Sequence, residues 1–487
     1  MTEIKAMKQS MVNEFHIKGY WWLPSSDNKV PGNLYYEKNK IRLELLGSLK
    51  DDEGTSFFKS RLLHEDANKE SILGVSDNGE EFTLIDGINV NVKLSTGFMT
   101  EVYNISSFIV GGHFSTTEKM NFSSSTFRTT YLTKWLNKQP FDEKFKLEKD
   151  TSILEESKLT YTAPKVFNLN VSSIVTEIED AYTANFTSDL DEKVVWDFKS
   201  GIKVKPTVHK NLEWFIENND VIKKLLNLFI GHPINYENIT FYGEKEIQTN
   251  SRKKYLLFLP QKDIKIKKKI SIHDFVINYK DIEDSLENIF NLWFEKQAKL
   301  QTVFNLYFSE FYKDMYLETS FLDTVQTLEI YHRKLFDSKY VEDEVYETHS
   351  NKIAEFINES IHDEELEERF INLLRYGNQY SLSKRIKEIF NNFSDETKKY
   401  LFGTGKKRKS FIKKLVDTRN YLTHYELGEK QHVIFEPEKK YYAIQRLRVI
   451  ITIILFREIG LDESTILEKI KDNRRHSFAV EKSKDIF

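Results

Sequence analysis

Between residues 265 and 275 the chain changes its hydrophobic period, and that change limits the fold more than any other feature of the 487 residues. Upstream, apolar and polar residues alternate at a period of two, the spacing of strands buried on one face. HIKGYWWLP leads through a turn region into GNLYYEKNKIRLELLGSL, where EKNK joins two extended runs as a hairpin. ILGVSDNGEEFTLIDGINVNVKL repeats the arrangement around Asn78-Gly79, a strong two-residue turn signal. EVYNISSFIVGGHF and STFRTTYLTKWL continue it. Residues 1–265 are therefore expected to form a mainly antiparallel β domain, with one helical insertion at NLEWFIENNDVIKKLLNLFIG and a join at PQKDIKIKKKISIHD.

From residue 275 onward the period becomes helical. A long Gly- and Pro-free amphipathic stretch runs from Leu286 to Phe336, and shorter helical patterns follow, separated by polar connections. The expected fold class is thus multidomain α+β, a β-rich N-terminal domain (1–265) followed by an all-α bundle (275–487). The charged tail after Ser477 is expected to fray.

Composition removes several functions. The chain has no cysteine, which excludes disulfides, thiolate zinc sites and cysteine nucleophiles. Its 40% apolar and 14% aromatic residues exclude global disorder. The longest apolar run, Val449 to Phe456, is far short of the roughly 20 residues of a membrane span. The first residues are polar and mixed in charge, without a secretory pattern, so a cytoplasmic protein with no membrane contact is expected. The formal charge of -4 neither favours nor excludes a nucleic-acid partner.

Chemistry concentrates in one stretch, RNYLTHY, residues Arg419 to Tyr425. With fifteen arginines and twelve histidines, about one Arg-x(4–6)-His match arises by chance, and one is present. Context carries more weight. The pair ends a helical pattern with Phe411, Ile412, Leu415 and Leu422 as its apolar stripe. Between Gly403 and Tyr425 stand seven Lys or Arg and one Asp. Lys406, Lys407, Arg408, Lys409 and Lys413 form a phosphate footprint, and Tyr421 and Tyr425 offer rings for unpaired bases. Histidine exchanges protons near neutral pH, and arginine presents a fork that matches phosphate oxygens. Asn420 has the chemistry to bind substrate or fix the histidine ring. Together Arg419, Asn420 and His424 suit attack of an RNA 2′-hydroxyl on its own phosphate, with no metal or cofactor. Residue types alone leave a solvated basic helix end equally open. On a regular helix Arg419 and His424 also lie roughly 140° apart. They converge only if the helix ends between them or if a second subunit supplies the partner.

At these residues the sequence resembles the HEPN superfamily, whose ribonucleases carry Arg-x(4–6)-His, commonly with a polar residue after the arginine. More specifically it is similar to the ApeA family of bacterial anti-phage proteins, in which an ApeA N-terminal domain precedes an Apea-like HEPN domain. KGYWWLP, PGNLYY and IRLELLGSL carry the N-terminal likeness; VQTLEIYHRKLF, SLSKRIKEIF and RNYLTH carry the C-terminal one. The resemblance implies abortive-infection defence through cleavage of host or phage RNA, tRNA among the candidates. A constitutively active ribonuclease would poison its host, so the N-terminal domain is expected to sense a phage component, and the 140° divergence makes a homodimer or higher oligomer the expected assembly. The alternative is a non-catalytic HEPN-like adaptor that binds RNA or a partner.

Other motifs favour bland roles. FGTGKKRKS is not a phosphate loop, because Tyr400 stands where its first glycine belongs. His113 in IVGGHF is expected in a turn, and His332-Arg333 in helix packing. Trp21-Trp22 is expected to be half core and half exposed. NRRHS reads as a mobile basic tail, and the acidic clusters HDEELEE and VEDEVYE as solvated helix faces.

Overall fold

Period-two alternation in the first half becomes a sheet whose first six strands close on themselves. The computed structural model describes residues 5–49, 68–95, 98–148, 154–189, 191–245, 250–267, 269–424 and 432–487. The six strands are β1 (Phe15–Trp22), β2 (Val30–Glu37), β3 (Lys40–Leu46), β4 (Asn68–Ser76), β5 (Glu81–Ser95) and β6 (Phe98–Val110). They run in the order β6-β3-β2-β1-β4-β5, and β5 pairs again with β6, so the ring is a barrel. Glu37 pairs with Lys40, which makes Lys38-Asn39 the expected hairpin turn. Gly79 takes φ +82° between β4 and β5, a conformation that favours glycine. Alternation points Leu34, Tyr36, Ile41, Leu43 and Leu45 inward. Tyr36, Phe108 and Phe258 fill the space with ring contacts.

The Trp21-Trp22 pair splits as the pleat requires. Trp21 is fully buried against Phe82, while Trp22 is half-buried with the Lys29 ammonium 4.8 Å from its ring. Trp21 lies across the sheet from Gly74, where a Cβ would come within 2.2 Å of its Cε3. Gly74→Ala is therefore expected to destabilise the barrel by roughly 1–3 kcal/mol through overpacking. Denaturant unfolding followed by tryptophan fluorescence checks this; an unchanged midpoint contradicts the packing.

The sheet extends from the end of β6 through Arg252–Phe258, Tyr236–Lys245, Ser124–Thr129, Lys193–Pro206, Thr176–Asp189 and Asn168–Val171. The expected helical insertion is α1 (Leu212–Ile230). The Asn211 side chain caps it by accepting from the Trp214 N–H, Gly231 ends it at φ +70°, and Phe215, Ile222, Leu225 and Phe229 form its buried face. A β-rich region followed by an all-helical one is the architecture the alternation pattern predicts.

The chain divides into two units, Met1–Phe294 and Glu295–Phe487. The long amphipathic stretch is two helices, α2 (Leu286–Tyr312) and α3 (Leu317–Leu335). Glu310 makes the fold-back: its carboxylate accepts from Ser320 Oγ and Thr324 Oγ1 and pairs with Arg448. There follow α4 (Asp343–Ser360), α5 (Glu364–Tyr376), α6 (Leu382–Asn391), α7 (Asp395–Phe402), α8 (Gly405–His424), α9 (Pro437–Glu458), α10 (Glu463–Asp472) and α11 (Arg474–Ile486). α3 packs against α6, α8 and α9. The apolar run Val449–Phe456 lies wholly inside, in the C-terminal half of α9, so it is core. No described helix is long and apolar enough to cross a membrane.

The C-terminal tail departs from expectation. Arg474–Ile486 is a helix, capped by Asn473 and seated through Ala479, Val480 and Ser483. Phe487 is also buried, against Phe411. Charge dominates that segment's composition, but Ala479, Val480 and Ser483 form one buried face, and that face decides.

Candidate functional site

α8 carries the candidate residues. Gly403 turns the chain at φ +73°, and Thr404 Oγ1 then accepts from the Lys407 N–H, so α8 starts on a side-chain cap. Phe411, Ile412, Leu415 and Thr418 form its buried face, and Leu422 is half-buried beside them. Thr418 Oγ1 accepts from the Ile434 N–H at 2.9 Å, which ties the returning chain to the helix.

Arg419 sits at the edge of this face, its side chain about one-third exposed. Its guanidinium donates to Asn420 Oδ1 at 3.2 Å and stands 3.8 Å from a Glu329 carboxylate oxygen on α3. Asn420 thus holds the arginine rather than the histidine. His424 is exposed, and its side chain hydrogen-bonds to no other described residue.

α8 stays helical through His424, so the helix does not end between the two residues. At about 100° per residue they diverge by roughly 140°. His424 instead shares a sector of roughly 60° with Lys406, Lys409, Lys413 and Asn420, all of them exposed. That stripe is basic, solvent-facing and several helical turns long. Arg419 points instead toward Glu329 on α3.

The remaining basic residues divide. Lys407 donates to the Lys484 carbonyl at 2.9 Å, which ties α8 to α11. Arg408 is half-buried and lines a cavity of about 310 Å³ with Asp395, Lys398, Lys399 and Phe402. Tyr421 packs edge-on against Phe435, with ring centres 5.2 Å apart. Tyr425 lies outside the described residues.

His332 is fully buried, with Nε2 2.6 Å from Glu388 Oε2 and its ring stacked on Phe336. Burial lowers its pKa against the opposing pull of Glu388. This is the packing role the sequence suggests, since it clamps α3 to α6. Its neighbour Arg333 points outward and donates through Nε and Nη2 to Glu329 Oε1, at 3.1 and 2.9 Å. Glu329 therefore lies between two guanidiniums, a placement that residue-by-residue reading missed. The available signal was its i,i+4 spacing to Arg333 within VQTLEIYHRKLF. His113 Nε2 lies 2.8 Å from the Gly74 carbonyl, as fits a structural turn residue. Among the described residues, no three His, Asp or Glu side chains gather as metal ligands.

A β-barrel unit followed by a helical unit that carries Arg-x(4)-His is the arrangement of a HEPN-domain protein with an N-terminal accessory domain, and the family comparisons supply the assignment. Residues 322–465 match the Apea-like HEPN family, and residues 16–293 match ApeA N-terminal domain 1. The chain belongs to the ApeA family, whose two characteristic domains it carries in order. No curated protein and no solved structure matches it. The HEPN domain points to an RNase-type defence function, and HEPN domains bind RNA and often dimerise.

Proposed function

We propose that this protein is a metal-independent endoribonuclease of anti-phage defence, acting on host or phage RNA, with tRNA one candidate substrate. The observation that carries the reading is Arg419: a guanidinium fixed by Asn420, still open to solvent, on a helix whose exposed stripe is basic and ends in His424. In the reaction, the RNA 2′-oxygen bonds to the adjacent phosphorus and the bond to the 5′-oxygen breaks. A base takes the 2′-hydroxyl proton, and an acid returns a proton to the leaving 5′-oxygen. Arg419 stabilises the charge that builds on the phosphoryl oxygens. His424 serves proton transfer.

The roughly 140° divergence prevents one chain from aiming both side chains at one phosphate. In a twofold pair of chains, Arg419 of one subunit and His424 of the other meet at one phosphate. The same divergence favours the adaptor alternative if the chain acts as a monomer. The N-terminal β unit is assigned the sensing of a phage component and the restraint of the nuclease.

Chelation tests the chemistry. Cleavage of RNA by the full chain is expected to persist in excess EDTA at an undiminished rate. Loss of cleavage with EDTA and its return with magnesium rejects the arginine–histidine reading.

A further inference from the structure

α3 and α8 bring a second arginine to the candidate site. Glu329, whose side chain is only 17% exposed, accepts from Arg333 through one carboxylate oxygen and faces the Arg419 guanidinium with the other. Arg333 and Arg419 are 47% and 33% exposed, so an incoming anion can reach both. Arg333 is held from two sides: its Nη1 contacts Gln379 Oε1 at 3.4 Å, and its neighbour His332 is clamped to Glu388. Two guanidiniums and one carboxylate leave a single positive charge, which matches one phosphodiester. A carboxylate between two arginines is also the geometry a phosphate oxyanion adopts when it accepts from both.

We propose that Arg333 is a second phosphate-binding residue of this site, and that Glu329 is a positioning residue holding Arg333 and Arg419 as a pair. RNA phosphate docks on the exposed edges of both guanidiniums, while Glu329 keeps their spacing and limits the charge excess. The inference takes its substrate from the ribonuclease reading above. Losing Glu329 should separate binding from turnover. Without the carboxylate the positive charge rises, so RNA binds more tightly, but Arg419 loses its register at the scissile phosphate and turnover falls.

The test uses the full chain and two readouts. Binding is measured on single-stranded 2′-O-methyl RNA, which lacks the nucleophile, across a salt series; cleavage is measured on unmodified RNA of the same sequence. Arg333→Ala is expected to weaken binding about tenfold and to reduce the salt slope by about 0.7, the value for one phosphate contact on a single strand. Arg333→Lys should restore the slope. Glu329→Gln is expected to bind a few-fold tighter yet turn over at least tenfold more slowly at saturating RNA, with Glu329→Asp recovering part of the turnover. A purely structural role would lower the melting temperature and leave the salt slope alone. Arg333→Ala with wild-type affinity and slope, or Glu329→Gln with weakened binding, overturns the proposal. If the binding shifts appear but wild-type protein leaves unmodified RNA intact even in extract of phage-infected cells, the cradle stands and the ribonuclease reading falls.

Discussion

Alanine at His424 or Arg419 is expected to abolish RNA cleavage while the protein still folds. Removing a positioned proton-transfer group costs about 10²–10⁴-fold in rate, and removing a preorganised charge stabiliser costs a comparable factor. Neither side chain belongs to the core. His424 is exposed, and Arg419 lies at the rim of the buried face. The thermal transition should therefore stay within a few degrees of wild type. Asn420→Ala should be milder, because its Oδ1 holds the Arg419 guanidinium without performing chemistry. Paired cleavage assays and melting curves check all three. A His424→Ala protein that cleaves normally, or one that fails to fold, removes the catalytic assignment.

The second large effect concerns the shared site. Each single variant is expected to be inactive as a homodimer. Mixed dimers of Arg419→Ala with His424→Ala should regain partial activity. If each site takes arginine from one chain and histidine from the other, one of the two sites in the mixed dimer is complete. The motivation is geometric: α8 remains a helix through both residues, so their divergence cannot be relieved within one chain. Affinity-tagged co-expression isolates the mixed species. No recovery means that the arginine and histidine act from the same chain. Wild-type cleavage by a protein shown to be strictly monomeric at assay concentration rejects the shared site outright.

Much of the fold was legible in the sequence, for physical reasons. Period-two alternation and the two hairpin turns, at Lys38-Asn39 and Asn78-Gly79, located the first strands because half-buried strands have few alternatives. The helical pattern of NLEWFIENNDVIKKLLNLFIG located α1, whose two ends the structure caps with Asn211 and Gly231. Barrel closure was not legible, because the β5–β6 pairing that completes the ring is set by curvature and packing. The C-terminal helix was hidden by its charge, although three buried residues and Phe487 suffice to seat it.

At the site, Arg419, Asn420 and His424 were legible through a motif, while their relations were not. Glu329 had no motif of its own; only the approach of α3 to α8 reveals that it separates two arginines. Lys407 reads in the sequence as one cation among several; its hydrogen bond to the backbone of α11 depends on a fold that no local pattern reveals.

The central claim is that RNA supplies its own nucleophile. The most direct measurement is mass spectrometry of the products when the full chain cleaves a defined RNA. The account predicts 2′,3′-cyclic phosphate on every new upstream fragment, 5′-hydroxyl on every downstream one, and no cut at a position where the 2′-hydroxyl has been replaced by hydrogen. New ends carrying 5′-phosphate and 3′-hydroxyl, or cleavage that continues at the 2′-deoxy position, would contradict it.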